Sequence, residues 1–393
     1  MRKVTVFSGN RAEFGILFPI IAEISKEYEV DVLLSGAHVL PPWNTKAAVE
    51  EQLTQNNIGC TIATIPLKKK EDTYLNSLGE IYEGTLQYFI RHKDKDLAIV
   101  LGDRIESFAF ALGAFYSQIP LIHLCGGDVV NDPSFDTNVR HSISKLANYH
   151  FVMSDRSKKA LMQMGEEEHR ILNMGNPSFD YERMGYLTSV EMLEKEFDIA
   201  PKDSIVIFTF HPVLKKSGEM NFLEFKTCLE AILETNIDKV IATYPNNDPG
   251  YEQIVEYLES FDENQRICRV KNLGTYNYLS LMKNFKTIVA GNSSSGLLET
   301  VWYGVPTLNI GERQGDRIRG NNVISVTVDK ELIRTELQKV LDHYEEVKEQ
   351  NKKTRTLFGN GEAALKAKDF IDSVMKLNKN EQLFKRFVER LDN

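Results

Sequence analysis

Short apolar runs alternate with longer amphipathic stretches along the first half of the chain. Lys3–Ser8, Val30–Ser35, Cys60–Ile65, Leu97–Leu101, Leu121–Leu124 and Tyr149–Met153 have the length and apolar content of buried strands. Between them, Ile16–Tyr28, Ala47–Asn56, Tyr74–His92 and Ile105–Tyr116 carry helical periodicity. This alternation predicts βαβ units and a doubly wound parallel sheet. The pattern breaks over Asn176–Asp203, a polar stretch with Pro177 and Pro201 that reads as a linker region. A second alternation follows: Ser204–Phe210, Lys239–Thr243, Arg266–Val270, Thr287–Ala290 and Thr307–Ile310 as strands, Phe222–Glu234 and Tyr251–Ser260 as helices. Lys330–Asn393 reads as charged amphipathic helix packed outside the sheets. The predicted fold class is therefore α/β, with two Rossmann-like doubly wound parallel-sheet domains, 1–180 and 200–370, a helical tail at 371–393, and a cleft between the domains.

Length and charge narrow the function classes. A chain of 393 residues exceeds one comfortable core and suits two domains. Its net charge of −9 argues against general nucleic-acid binding, which needs a basic face, so an anionic ligand requires a local arginine cluster. The start MRKVTVFSGN has too few apolar residues for a signal sequence, and no stretch approaches the roughly 20 apolar residues of a membrane span. A cytoplasmic protein with no membrane partner is expected. Cys60, Cys125, Cys228 and Cys268 form no C-x-x-C pair and have no histidine at zinc spacing, so free thiols are expected.

Several predicted strand tips carry polar chemistry. Ser8-Gly9-Asn10-Arg11-Ala12-Glu13-Phe14-Gly15 joins the first strand to a helix; it reads either as an ordinary turn or as an anion cradle to which Arg11 adds a donor pair. Gly102-Asp103-Arg104 puts Asp103 at the carboxyl end of a parallel strand, where such sheets place ligands, although Asp103 could also simply cap the next helix. Cys125-Gly126-Gly127-Asp128 repeats the arrangement at a second tip. If a helix starts at Val139, Asp136 lies at its N-terminal end, with Arg140 and His141 on its first turn. Asp103, Asp128 and Asp136 are either three independent loop acids or a convergent set in which like charges separate an acid from a base.

In the second half, Thr209-Phe210-His211-Pro212 ends a strand, and His211 is read as either structural or facing a ligand. Asn246, in Tyr244-Pro245-Asn246-Asn247-Asp248, follows another strand and could hydrogen-bond a base or ribose. The strongest feature is Gly291-Asn292-Ser293-Ser294-Ser295-Gly296-Leu297-Leu298-Glu299. A cap accounts for one serine, not for three, so Ser293, Ser294, Ser295 and their N–H groups are read as facing a diphosphate, with Glu299 on the ribose. Arg313, Arg317 and Arg319 form a local basic cluster, read as answering phosphates or as a solvated loop.

Taken in order, SGNRAEFG, GDR, GGD with RHSISK, GNPSFD at Gly175–Asp180, TFHP, GNSSSGLLE and the arginine loop resemble the UDP-N-acetylglucosamine 2-epimerase family, in its hydrolysing branch, which feeds sialic-acid-type sugar synthesis. The resemblance spans roughly residues 3 to 370. It implies a GT-B-like fold with C-terminal helices crossing back, no nicotinamide, metal or other cofactor, and a homodimer or homotetramer. It also implies elimination of UDP from UDP-N-acetylglucosamine to a glycal, then hydration to N-acetylmannosamine. Asp103, Asp128, Asp136 and His211 would be catalytic; Arg11, Arg104, Arg140, Asn176, Asn246, Asn292, Ser293, Ser294, Ser295, Glu299, Arg313 and Arg317 would hold the UDP-sugar.

Two departures from the family pattern fall near the expected sugar site. Asp128 replaces the usual glutamate, and Thr137 stands where relatives often carry a second acid. They leave open a variant substrate such as a UDP-linked 2,4-diacetamido-2,4,6-trideoxyhexose. Other readings fit less well. A GT-B glycosyltransferase would need an acceptor cleft, a nucleotide-sugar sensor would lose the carboxylates, and a dehydrogenase would need a G-x-G-x-x-G fingerprint in the first βαβ unit.

Overall fold

The computed structural model describes the chain except residues 42–43, 69–72, 131–135, 214, 246–249, 262–265 and 391–393, and the side chains of 73–76. Two parallel sheets carry the architecture. The first comprises β1 (Lys3–Ser8), β2 (Glu29–Leu34), β3 (Cys60–Thr64), β4 (Leu97–Leu101), β5 (Leu121–Leu124), β6 (Tyr149–Val152) and β7 (Ile171–Asn173), in the order β3-β2-β1-β4-β5-β6-β7. The second comprises β8 (Ser204–Thr209), β9 (Lys239–Thr243), β10 (Ile267–Val270), β11 (Lys286–Gly291), β12 (Thr307–Ile310) and β13 (Val323–Val326), in the order β10-β9-β8-β11-β12-β13. Neighbouring strands are parallel throughout both sheets. Near-continuous apolar runs such as Leu97–Leu101, buried at every residue, follow from helices covering both faces.

The first unit contains Met1–Val129, Phe135–Asp180 and Gly359–Asn393; the second is built on Tyr181–Phe358. In the first, β1 pairs with β2 on one side and β4 on the other, so the strand order reverses beside β1. That reversal opens a crevice at the carboxyl ends of β1 and β4. Three helices position its residues: α1 (Arg11–Ile24), α2 (Ile105–Tyr116) and α3 (Asp136–Leu146). Phe7 of β1 stacks on Phe110 of α2 at 4.6 Å between centroids, within a core that includes Phe89, Val100 and Ile143.

The helix Ala363–Met375 packs along α1, and its first amides, Ala363 N and Ala364 N, donate to the buried Asp180 carboxylate at 2.9 and 3.4 Å. This contact draws the chain into the first unit from Gly359, before the residue 370 at which the sequence ends its second domain.

α1 starts five residues before Ile16, where its apolar periodicity begins. Its polar first turn is held by a cap: Glu13 N donates to Asn10 Oδ1 at 3.0 Å, and Gly9 N donates to Glu13 Oε2 at 2.7 Å. α3 likewise begins at Asp136, ahead of the Val139 start read from the sequence. β7 and β13 lie outside the strands expected from the sequence, and within the linker stretch the chain forms a helix over Val190–Phe197.

In the second unit, β8 lies between β9 and β11, which again reverses the order, here beside β8. α4 (Thr275–Asn284) leads into β11, and α5 (Ser295–Leu298) leaves it. Among the described residues no helix is long and apolar enough to cross a membrane. The four cysteines are free thiols.

Candidate active site

At the crevice of the first unit, Arg140 is the organising side chain. It projects from α3, is buried, and forms an ion pair through one NH2 group with Asp103 at the tip of β4. Its NH1 donates to the backbone carbonyl of Asp128 at 3.0 Å. Asp136 lies one turn earlier on α3 and is exposed at the helix start, on the same face as Arg140. The structure thus gives the Asp103 carboxylate a guanidinium partner. The Asp128 carboxylate accepts from Ser157 Oγ at 2.6 Å.

A buried histidine braces this arrangement. His123 on β5 is fully buried, and burial drives its pKa down to about 3, so it is neutral. Its Nε2 lies 2.8 Å from the Gly102 carbonyl, which can only accept, so Nε2 carries the proton. Nδ1 then accepts from Ser144 Oγ of α3 at 2.9 Å. His123 therefore ties the turn carrying Asp103 to the helix carrying Arg140. The paired glycines follow from the same packing: a Cβ at Gly126 would lie 2.8 Å from Ser144 Oγ, and one at Gly127 would lie 2.3 Å from the Ser157 carbonyl. A histidine inside an apolar strand gives no sequence signal of its own; only the strand order brings it beside Gly102.

Two glutamates are buried against the Gly9 turn. Glu106 on α2 is buried and accepts from Arg104 Nε and NH2, each at 3.3 Å. Glu13 is buried beside it. Arg104 and Arg11 are exposed, at the starts of α2 and α1. Asn176 is buried at a turn, with its Oδ1 accepting from Ser178 N at 3.0 Å.

In the second unit the tips of β8 and β11 are bridged reciprocally. His211 N donates to Asn292 Oδ1 at 2.7 Å, and Asn292 Nδ2 donates to the His211 carbonyl at 2.8 Å. The Asn292 amide is thus engaged by protein. Its backbone carbonyl accepts from Arg313 NH1 at 3.1 Å and Gln314 Nε2 at 2.8 Å, which anchors the arginine loop on the same turn. Arg317 reaches Gln314 Oε1 at 3.2 Å, and Arg319 hydrogen-bonds the Gly315 carbonyl and Ser325 Oγ. Gly291 is required: its φ is +128°, and a Cβ would lie 1.9 Å from the Thr209 carbonyl.

After Asn292 the serines form the entry to α5. Ser293 and Ser295 share a 3.0 Å hydroxyl contact, and among the described residues no backbone acceptor meets the N–H groups of Ser293 and Ser294. The segment is not one long helix. It breaks at Glu299 between α5 and a second short turn, Thr300–Tyr303, and the Glu299 charge acts on the buried hydroxyl of Tyr278 on α4. Burial, reinforced by Glu299, holds that hydroxyl well above the usual tyrosine range, so it stays protonated beside Ser295. His211 is held at about pKa 3 by burial and then by the Arg313 charge, so it is a neutral hydrogen-bonding group. Asn246 lies outside the described residues. Among the described residues no group of three or more His, Cys, Asp or Glu could hold a metal ion.

Two doubly wound parallel sheets, one tipped by the Asp103 carboxylate on a buried arginine and the other by a glycine–serine turn backed by arginines, define a GT-B-like α/β protein. The family described as UDP-N-acetylglucosamine 2-epimerase matches residues 22–372, and the chain belongs to it. It is 30% identical over 346 residues to the hydrolyzing UDP-N,N'-diacetylbacillosamine 2-epimerase of Legionella pneumophila, covering 87% of this chain and 89% of that one. It is 32% identical over 338 residues to the hydrolyzing GDP/UDP-N,N'-diacetylbacillosamine 2-epimerase of Campylobacter jejuni, covering 84% and 85%. The fold is similar, with a TM-score of 0.79 at 20% identity over 96% of this chain and all of the other, to UDP-GlcNAc 2-epimerase from Neisseria meningitidis, solved bound to UDP-GlcNAc.

Proposed function

We propose that the protein is a hydrolysing 2-epimerase that removes UDP from a UDP-2-acetamido sugar and releases the free 2-epimer, N-acetylmannosamine when the substrate is UDP-N-acetylglucosamine. The observation that carries this reading is the Asp103–Arg140–Asp128 arrangement at the first sheet's switch point, in a chain whose relatives include two named as hydrolysing. The diphosphate is assigned to the serine turn, Arg313 and Arg317, with neutral His211 as a hydrogen-bonding partner. Glu299 is assigned to the ribose hydroxyls.

The chemistry needs both sets of groups. The C1–O bond to UDP breaks and the C2 proton leaves to a carboxylate, which forms the C1=C2 bond of a glycal. Water then adds its hydroxyl at C1, and a proton returns to C2 on the opposite face. Because the C2 proton is weakly acidic, charge builds first at C1 and on the departing diphosphate, so fixed carboxylates and N–H donors stabilise the transition state. Each positioned proton transfer contributes about 10² to 10⁴ in rate.

A second substrate, a UDP-linked 2,4-diacetamido-2,4,6-trideoxyhexose, is favoured by the names of the two relatives and by the shorter acid at Asp128. A proton and phosphorus NMR time course in deuterated water, with each UDP-sugar in turn, tests both. Free UDP together with a C2-inverted, C2-deuterated free sugar is the expected result, and the faster substrate is the physiological one. A C2-deuterated sugar still joined to UDP would instead mark a non-hydrolysing epimerase; no exchange and no UDP from either would overturn the reading.

A further inference from the structure

Glu13 is a carboxyl group that the mechanism above does not use, and its surroundings are unusual for a charged one. It is 5% exposed, in the first turn of α1. Its Oε2 accepts from Gly9 N at 2.7 Å, while its Oε1 is buried with no hydrogen-bond partner. A second buried carboxylate, Glu106, flanks the same glycine from α2: a Cβ at Gly9 would lie 3.1 Å from Glu106 Cβ and 3.3 Å from Glu13 Oε2. Gly36 closes the other side, where a Cβ would lie 2.5 Å from the Gly9 carbonyl and 3.3 Å from Glu106 Oε1. Arg104, a cation at the cluster, directs its Nε and NH2 to Glu106.

Two carboxylates pressed on one glycine turn, with one guanidinium already engaged, cannot both be ionised without a large electrostatic cost. An ionised Glu13 would leave Oε1 buried as a charged acceptor without a donor, a cost that protonation removes.

We propose that Glu13 is a positioning residue that works as the neutral acid, holding the Gly9 turn and leaving Arg104 on Glu106, next to Asp103. This rests on the reading above, in which the β1/β4 crevice is the sugar site. Ionisation of Glu13 would draw Arg104 toward the new charge and put like charges on both sides of Gly9.

The remaining charged neighbours do not change this balance. His38, from the 36–38 turn, is bonded to Ser8 and Thr45 and kept neutral by burial. Arg11 is exposed on α1 itself. Asp180, after the 177–179 turn that packs on α1, accepts from Ala363 and Ala364. The helix Ala363–Met375 brings its charges to the far end of α1, where Lys368 pairs with Glu27 and Asp372 accepts from Tyr28. Burial is the main cause that raises Glu13, to about 7, with Arg104 opposing and Glu106 adding to the rise.

The test compares wild type, Glu13→Gln and Glu13→Ala from pH 5.5 to 8.5, following UDP release, UDP binding and the urea unfolding midpoint. Gln presents an oxygen to Gly9 N and an N–H where the acid proton would be. Wild-type kcat should fall at least tenfold from pH 6 to pH 8 while UDP binding changes less than threefold. Glu13→Gln should keep the pH 6 rate within threefold at every pH, and Glu13→Ala should lose at least tenfold throughout. The wild-type midpoint should also decline over this range, and that decline should vanish in Glu13→Gln. A Gln variant that retains the wild-type pH dependence in rate and midpoint, or one as inactive as the Ala variant, would overturn the proposal. Wild-type protein that binds UDP but releases none from any UDP-sugar would instead overturn the functional reading, and the midpoint comparison would still decide the state of Glu13.

Discussion

Single residues set the geometry of both strand-tip turns through backbone demands that side-chain chemistry cannot replace. Gly291 is the clearest case, because its φ of +128° and its approach to the Thr209 carbonyl exclude any Cβ. Gly291→Ala must shift the turn that carries Asn292 and the serines, and with it the bridge to His211. We expect UDP to bind at least about tenfold more weakly, or about 1.4 kcal/mol, with titration calorimetry as the check; an unchanged affinity would detach this turn from nucleotide binding. The glycine–serine string was legible in the sequence because three adjacent small hydroxyl residues exceed what a cap requires. The engagement of the Asn292 amide by His211 was not, since it depends on β8 and β11 being neighbours.

At the level of elements, α3 is fixed at both ends. Arg140 holds its first turns, and at its C-terminus Lys385 Nζ lies 3.3, 3.0 and 2.7 Å from the carbonyls of Ser144, Lys145 and Ala147. The same ammonium meets the fully buried Glu166 at 2.9 Å. Burial alone would raise Glu166, but the His150 hydrogen bond, Lys385 and Lys145 together bring it down to about 2. His150 Nε2 lies 3.0 Å from the Glu166 carboxylate, and burial keeps the pKa of the histidine below its ordinary range.

Lys385→Met removes the lysine cap and one of the two cations, so unfolding of this unit in urea should shift by about 3 kcal/mol; a shift under about 0.5 kcal/mol would show that the segment merely rests on the surface. The stability from Glu166 is present above its unfolded value near 4.5 and is lost as pH falls through about 2. The sequence marked this region only as charged helix, because periodicity records which residues are amphipathic and not which carbonyls a distant lysine will reach.

Across the whole molecule, the residues assigned to nucleotide and to proton transfer lie on different sheets. Substitutions should therefore separate into two phenotypes. Asp103→Asn should lower kcat at least about 100-fold and leave UDP affinity within threefold. Arg313→Ala should weaken UDP binding about 10- to 100-fold, the loss of a charge-assisted contact. Steady-state kinetics with parallel UDP titrations would read both, and equal losses of affinity in the two variants would contradict the assignment.

The sequence by itself determined the class of fold and the location of most candidate groups. Alternating runs require parallel strands with helices on both faces, and polar residues at strand tips such as Asp103 and Ser293 are visible without coordinates. Tertiary structure decided the partners. Asp103 faces Arg140 from 37 positions away, His123 reaches Gly102, and Glu13 shares a buried glycine turn with Glu106. Periodicity along a chain reports burial, whereas charge state and hydrogen-bond partner depend on which strands become neighbours, and those neighbours are distant in the chain.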